Sequence, residues 1–273
     1  MVCIFIRHFI VLELNCKKQD SEPDMPRIFI ILTVATVLIF GGMFYQYHVQ
    51  QKEAGQLHVY QSVLLEKTEQ IFDQAKNPSK LIQVDVTDPR LEGDYQIMAN
   101  FVLTQMIQSA EARNSYIRDL KALQWDKFLD INRLSADKKK NYQATEKMLK
   151  NVHAVVDAYE LKTKKFEENS LEQAKNLPIK SKYRRQLTES LRDSQQSDDA
   201  NTLFELEKQI LAKADAIFAV LKNNKWEQRN KIFMFYEDEP LQQFNTLYKE
   251  ILALNKQMKQ VSVQNQEEIA EKL

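Results

Sequence analysis

The chain has 273 residues, with 38 Lys or Arg against 38 Asp or Glu, so its formal charge is +0 and no net field draws it to nucleic acid or acidic substrates. Only 4 glycines and 6 prolines are present, where ordinary usage gives roughly 7% glycine, which disfavours sandwiches, barrels and Gly-rich nucleotide-binding domains. With 44% hydrophobic residues, the composition points to an all-α protein of long helices.

Residues 1–24 begin with MVCIFIRHFIVLEL, an apolar stretch broken by Arg7, His8 and Glu13 and too short to cross a bilayer. Met25-Pro26-Arg27 makes a compact start for the apolar run after it, so residues 1–24 are read as a leader upstream of the true translation start. Ile28 to Tyr45 then runs for 18 residues without a charge, and its Thr33 and Thr36 can bond back to their own helix. At about 1.5 Å per residue this just spans a hydrocarbon layer of roughly 30 Å, with Gln46 to Val49 available to extend it. A segment apolar on every face suits lipid better than a globular interior. Tyr45 and Tyr47 sit where amphipathic rings favour the headgroups. Residues 25–49 are therefore expected to form a transmembrane signal anchor, with Ile28 to Tyr45 in the lipid. The run exceeds a signal-peptide core of about 7 to 15 residues and no small-residue cleavage site follows it, so the anchor is expected to be retained.

Arg7, Lys17, Lys18 and Arg27 precede the apolar run from Ile28 to Tyr45, whereas only Lys52 lies in the first 20 residues after it. That asymmetry predicts a cytoplasmic N-terminus with residues 50–273 on the other side; the expected setting is the inner (plasma) membrane of a bacterium. Both cysteines, Cys3 and Cys16, come before the anchor, which excludes disulfides, thiol catalysis and Cys-ligated metal from residues 50–273.

Pro78, Pro89, Pro178 and Pro240 divide this region. Leu57, Tyr60, Leu64, Ile71 and Phe72 predict a first helix ending at Asn77-Pro78. Ile82, Val84 and Val86 then alternate with Gln83, Asp85 and Thr87, the period of extended chain with one face buried. With no second strand to pair with, the segment is read as a connector lying on helices. Asp88-Pro89 reads as the cap and first residue of the next helix. Its face runs Tyr95, Met98, Val102, Met106, Ala110, Ile117, Leu120, Phe128 and Ile131, interrupted around Asn114. Ser135 is the next expected cap, with Asp137 in the first turn.

From Tyr142 the chain carries Thr145, Leu149, Val152, Val156, Tyr159, Thr163 and Phe166 at alternating steps of three and four, a coiled-coil-like seam suited to packing within one domain. Leu177-Pro178 ends that helix. Ser181 to Asp193 predicts a shorter one carrying Tyr183, Leu187 and Leu191, followed by a cap cluster at Ser197-Asp198-Asp199. Leu203, Leu206, Ile210, Ala214, Ile217 and Leu221 mark a regular stripe ending near Asn223-Asn224. Asp238-Glu239-Pro240 starts a final helix with Leu241, Phe244, Tyr248, Ile251 and Met258 on its face.

Residues with catalytic potential do not fall at catalytic spacings. His8, His48, His58 and His153 make no H-x-x-x-H or E-x-x-H pattern. Glu167-Glu168, Asp198-Asp199 and Glu237-Asp238-Glu239 read as a solvated face and two caps. Lys138-Lys139-Lys140 and Lys182-Tyr183-Arg184-Arg185 read as solvated faces in a chain without net charge. Ile232-Phe233-Met234-Phe235-Tyr236 stands apart, because five large apolar residues in succession would cover every side of a helix. Together with Trp226 they are the candidate docking surface for a partner, the competing use being burial where helices meet.

The expected fold is all-α: a single N-terminal transmembrane helix followed by an elongated bundle of about five amphipathic helices. No cofactor, metal or nucleic acid is expected. The expected function is non-catalytic, with the helical ectodomain scaffolding or binding proteins of the cell envelope, and self-association is compatible with it. The alternative is a bundle that senses a small ligand and signals through a partner.

Overall fold

The computed structural model describes residues 51–272 apart from Ser197. The leader, Ile28 to Tyr45 and His48 lie outside the described residues. Among the described residues no helix is long and apolar enough to cross a membrane. Helix α1 spans Gln51–Ala75, α2 Gly93–Ala122, α3 Ile131–Lys138, α4 Gln143–Lys175, α5 Ser181–Gln196, α6 Asp198–Asn223 and α7 Asp238–Lys272. Strands β1 (Trp226–Arg229) and β2 (Ile232–Phe235) lie between α6 and α7. The described chain is thus mostly helical, as the composition requires, but it is cut into seven helices and carries a two-stranded sheet that was not expected.

Helices α1 and α2 run in the same direction. Tyr60 meets Tyr95 with ring centroids 5.5 Å apart, Thr68 Oγ1 reaches Met106 Sδ at 3.7 Å, and Arg118 donates to the Pro78 carbonyl just past the end of α1. Parallel neighbours need a returning connector, and residues 79–92 supply it in extended form. Ile82 is buried and Val84 and Val86 half-buried, while Gln83, Asp85 and Thr87 face solvent, so the alternation read from the sequence holds. The Ile82 amide donates to Glu111 on α2 at 2.5 Å.

Asp88 does not cap α2, which begins at Gly93 rather than Pro89. Its carboxylate closes a local turn instead, accepting from the Arg90 amide at 3.0 Å and from the Arg90 guanidinium at 2.8 and 2.7 Å. Gly93, at φ +56°, then makes the left-handed entry that a side chain would resist. At its other end α2 stops at Ala122, and the chain turns through Gln124 at φ 55° and a short 3₁₀ turn. Phe128 and Ile131 therefore belong to later elements and not to the α2 face.

Ser135 lies inside α3, which Asp130 caps by accepting from the Arg133 amide at 2.8 Å. Asp137 caps the following helix from a distance. After a turn through left-handed Asn141 and Tyr142, its carboxylate accepts from the amides of Ala144 at 3.1 Å and Thr145 at 2.7 Å and from the Thr145 hydroxyl at 2.7 Å. Those donors are among the orphan groups at the start of any helix. From there α4 runs antiparallel to α2, with Tyr116 stacked on Tyr159 at 4.4 Å. Helix α6 runs antiparallel to α4 through Lys222–Glu146, His153–Asp215 and Lys208–Glu160 contacts, and α7 packs back along α6.

Two apolar clusters fill the interior. One joins α1, the connector, the first half of α2, the end of α4 and α5, around Tyr60, Ile71, Met98, Leu103 and Leu187. The other joins the end of α2, α3, the first half of α4, α6, the hairpin and the start of α7, around Leu134, Ile217, Leu221 and Trp226. Fully buried Asn114 sits on α2 between its last residue in the first cluster, Ala110, and Tyr116 in the second, which explains the interruption in the helical face. Beside it, Arg113 and Glu207 form a two-armed ion pair, 11% and 17% exposed. Burial opposes the Arg113 charge, but Glu207 more than reverses that and raises its pKa.

Candidate functional site

The segment singled out by sequence, Ile232 to Tyr236, folds as a strand and not as a helix. Asn230 and Lys231 both have positive φ, 52° and 60°, the backbone of a primed two-residue turn whose twist suits a hairpin. The strands pair antiparallel, Trp226 with Phe235, Glu227 with Met234, Gln228 with Phe233 and Arg229 with Ile232. A strand has a period of two, so the apolar run is divided between two faces where a helix would have spread it around a cylinder.

One face is structural. Trp226, 1% exposed, donates from Nε1 to the Tyr142 hydroxyl at 2.8 Å and to the Leu221 carbonyl at 3.0 Å. The Tyr142 hydroxyl in turn donates to the Leu221 carbonyl at 2.9 Å, which answers the open end of α6. Burial raises the Tyr142 pKa, and the hydrogen bond from Trp226 opposes the shift. Lys138 lies 4.7 Å over the Trp226 ring and its ammonium also bonds the Trp226 carbonyl. Burial lowers the Lys138 pKa against the pull of Glu227. Phe233 and Phe235 pack on Phe244 of α7, with centroids 5.0 and 5.6 Å away, and Phe233 also meets Trp226 at 5.1 Å.

The other face carries Glu227, Arg229, Ile232 and Met234. Ile232 and Met234 are half-buried, and Tyr236, just past β2, is 67% exposed. Arg229 pairs with Glu227 at 3.0 Å, and the Tyr236 hydroxyl donates to the same carboxylate at 3.3 Å. The structure therefore separates the six candidate residues. Trp226, Phe233 and Phe235 hold the hairpin to α3, α6 and α7, whereas Ile232, Met234 and Tyr236 lie on or beside its outward surface.

Several of the other polar and charged residues singled out by sequence are engaged within the fold. His153 meets Asp215 at 2.8 Å and His58 faces solvent. Tyr183 of the second basic run is buried with its hydroxyl 3.2 Å from that of Tyr95, while Arg184 donates to the Leu177 carbonyl at 3.1 Å. Asp238 and Glu239 stand in the first turn of α7. Among the described residues no three His, Cys, Asp or Glu side chains form a cluster fit for a metal ion. The hairpin and the Tyr142–Trp226–Leu221 network were missed from sequence, where Asn230 between two four-residue segments was their only signal. No family model, curated protein or solved structure matches the chain.

Proposed function

We propose that this chain is a single-pass membrane protein, anchored through Ile28 to Tyr45 with its N-terminus cytoplasmic, whose helical residues 50–273 bind another protein of the bacterial envelope without catalysis. The observation that carries the proposal is the division of the hairpin into an aromatic face, buried Trp226 with half-buried Phe233 and Phe235, that packs on the second apolar cluster, and a face of Ile232, Met234, Glu227 and Arg229, flanked by exposed Tyr236, that does not. Met, Tyr and Arg are the residue types enriched where proteins meet. The inward aromatics make the hairpin a supported platform, so a partner that engages its outer side chains need not also order the backbone beneath them.

The test places a photo-crosslinking residue at position 234 or, as an exposed control, at position 263 of the full chain in native membranes. The expected result is one defined adduct from 234, none from 263, and loss of that adduct when Ile232→Asp is combined with Tyr236→Ala. An adduct that is indifferent to both substitutions, or no adduct from 234, would overturn the docking assignment. Protease treatment of cells opened only at the outer envelope tests the topology: residues 50–273 are expected to be cut while a cytoplasmic control protein survives.

A further inference from the structure

Where the two apolar clusters separate, α2 and α4 leave a groove of about 440 Å³ between them, within the range of small-ligand sites. Its origin is legible in the residues. Ser109, Ala112 and Ser115 recur on α2 opposite Tyr159 and Phe166 of α4, so small side chains face rings and the space between them stays open. The Tyr159 ring is fixed from behind by its stack on Tyr116 and by the Arg113 guanidinium 5.8 Å away. The groove therefore has firm apolar walls before any ligand arrives.

Its charges are unequally answered. Glu111 on the α2 wall accepts from the Ile82 amide at 2.5 Å and faces Arg118 at 3.5 Å. Glu167 on the α4 wall is half-buried, and burial and adjacent Glu168 both raise its pKa. Lys162, at the mouth, is exposed and makes no hydrogen bond or ion pair with the other described residues. Glu111 is thus answered within the fold, while exposed Lys162 at the entrance has no partner among the described residues.

We propose that this groove binds a small amphipathic organic anion, its flat apolar body between Ala112, Tyr159 and Phe166 and its carboxylate at Lys162. This inference is independent of the hairpin reading, since the two sites share no residue.

The test uses the full-length protein in a non-ionic detergent and three probes of one carbon skeleton: 3-phenylpropionate, 3-phenylpropan-1-ol and 3-phenylpropylammonium. Affinities come from calorimetry or ligand-observed NMR. The anion is expected to bind saturably and about tenfold more tightly than the alcohol, the ammonium most weakly. Lys162→Gln, at an exposed position, should erase the advantage of the anion over the alcohol. Ala112→Trp, which fills the groove, should remove binding of both; if it unfolds the protein, Lys162→Gln alone decides. The proposal is overturned if the ammonium binds as tightly as the anion, if Lys162→Gln leaves the ranking unchanged, or if no probe binds saturably up to millimolar concentration.

Discussion

Asp137→Ala removes a cap that one helix supplies to the next. Asp137 is 5% exposed, and its carboxylate takes three hydrogen bonds, two from α4 amides and one from the Thr145 hydroxyl, which also accepts from Arg133 at 3.0 Å. Losing a helix cap costs about 0.5–2 kcal/mol. Leaving buried donors without an acceptor adds about 1–3 kcal/mol. The expected loss is therefore about 2–5 kcal/mol, or on the order of 10 °C in Tm for a domain of this size. Asp137→Asn keeps an acceptor but loses the charge, and should cost about half as much. Burial pushes the Asp137 carboxyl up, but the Thr145 hydroxyl, the Thr145 and Ala144 amides and Arg133 outweigh it, so its pKa lies below the ordinary carboxylate value. A depressed folded-state pKa means that this stabilisation is present above the unfolded-state value and is lost as the pH falls through the folded one. Thermal unfolding followed by circular dichroism at neutral pH and under progressively acidic conditions measures both effects, with Asp126→Ala, at an exposed position, as the control. A loss below about 1 kcal/mol for Asp137→Ala would refute the remote-cap argument.

Three further outcomes are expected. Glu207→Gln leaves the Arg113 charge buried without its partner and should cost about 3 kcal/mol in chemical denaturation, whereas the apolar pair Arg113→Met with Glu207→Leu should recover at least half of that; equal losses would mean the pair is not the source. Hydrogen bonds from Arg90 outweigh burial and hold the Asp88 carboxyl at about 2, so stability should fall as the pH drops from about 4 to about 2, and Asp88→Asn should flatten that limb. The loss from Asp88→Asn at pH 7 is about 1 kcal/mol after allowing for solvent screening around half-exposed Arg90. Phe233→Ala should cost about 2–3 kcal/mol by hollowing the packing on Phe244, while Ile232→Asp should stay within about 1 kcal/mol of wild type; the reverse order in paired Tm measurements would invert the assignment of hairpin faces.

What the sequence made legible is what depends on spacing alone. The stripe from Leu203 to Leu221 and the seam from Tyr142 to Phe166 are buried, apart from half-buried Thr163, Phe166 and Ile210, because an amphipathic helix has one answer to where its apolar face goes. The connector at Ile82, Val84 and Val86 was legible for the same reason with a period of two. What depends on competition between local bonds was not. Asp88 could cap a helix or close a turn on Arg90, and the turn won. Asp137 could serve its own helix or the next. The hairpin was hidden because β1, Trp-Glu-Gln-Arg, lacks the β-branched residues of a strand, and Lys231 stands where a primed turn favours glycine. In the candidate site, the apolar run was visible, but its division into inward Phe233 and Phe235 and outward Ile232 and Met234 required the strand to be known.

The parallel course of α1 and α2 has a mechanical consequence. In an antiparallel helix hairpin, a pull on the first helix is applied beside the end of the second, and the contacts break singly, in sequence. Here the Tyr60–Tyr95, Thr68–Met106 and Pro78–Arg118 contacts lie in series along two co-directional rods, and the chain leaves α2 at the end remote from residue 51. A tension entering through residue 51 loads them together in shear, with the extended connector running alongside. Forced extraction of α1 should therefore show one high rupture barrier, governed by the unfolding rate, in place of a graded series of small ones.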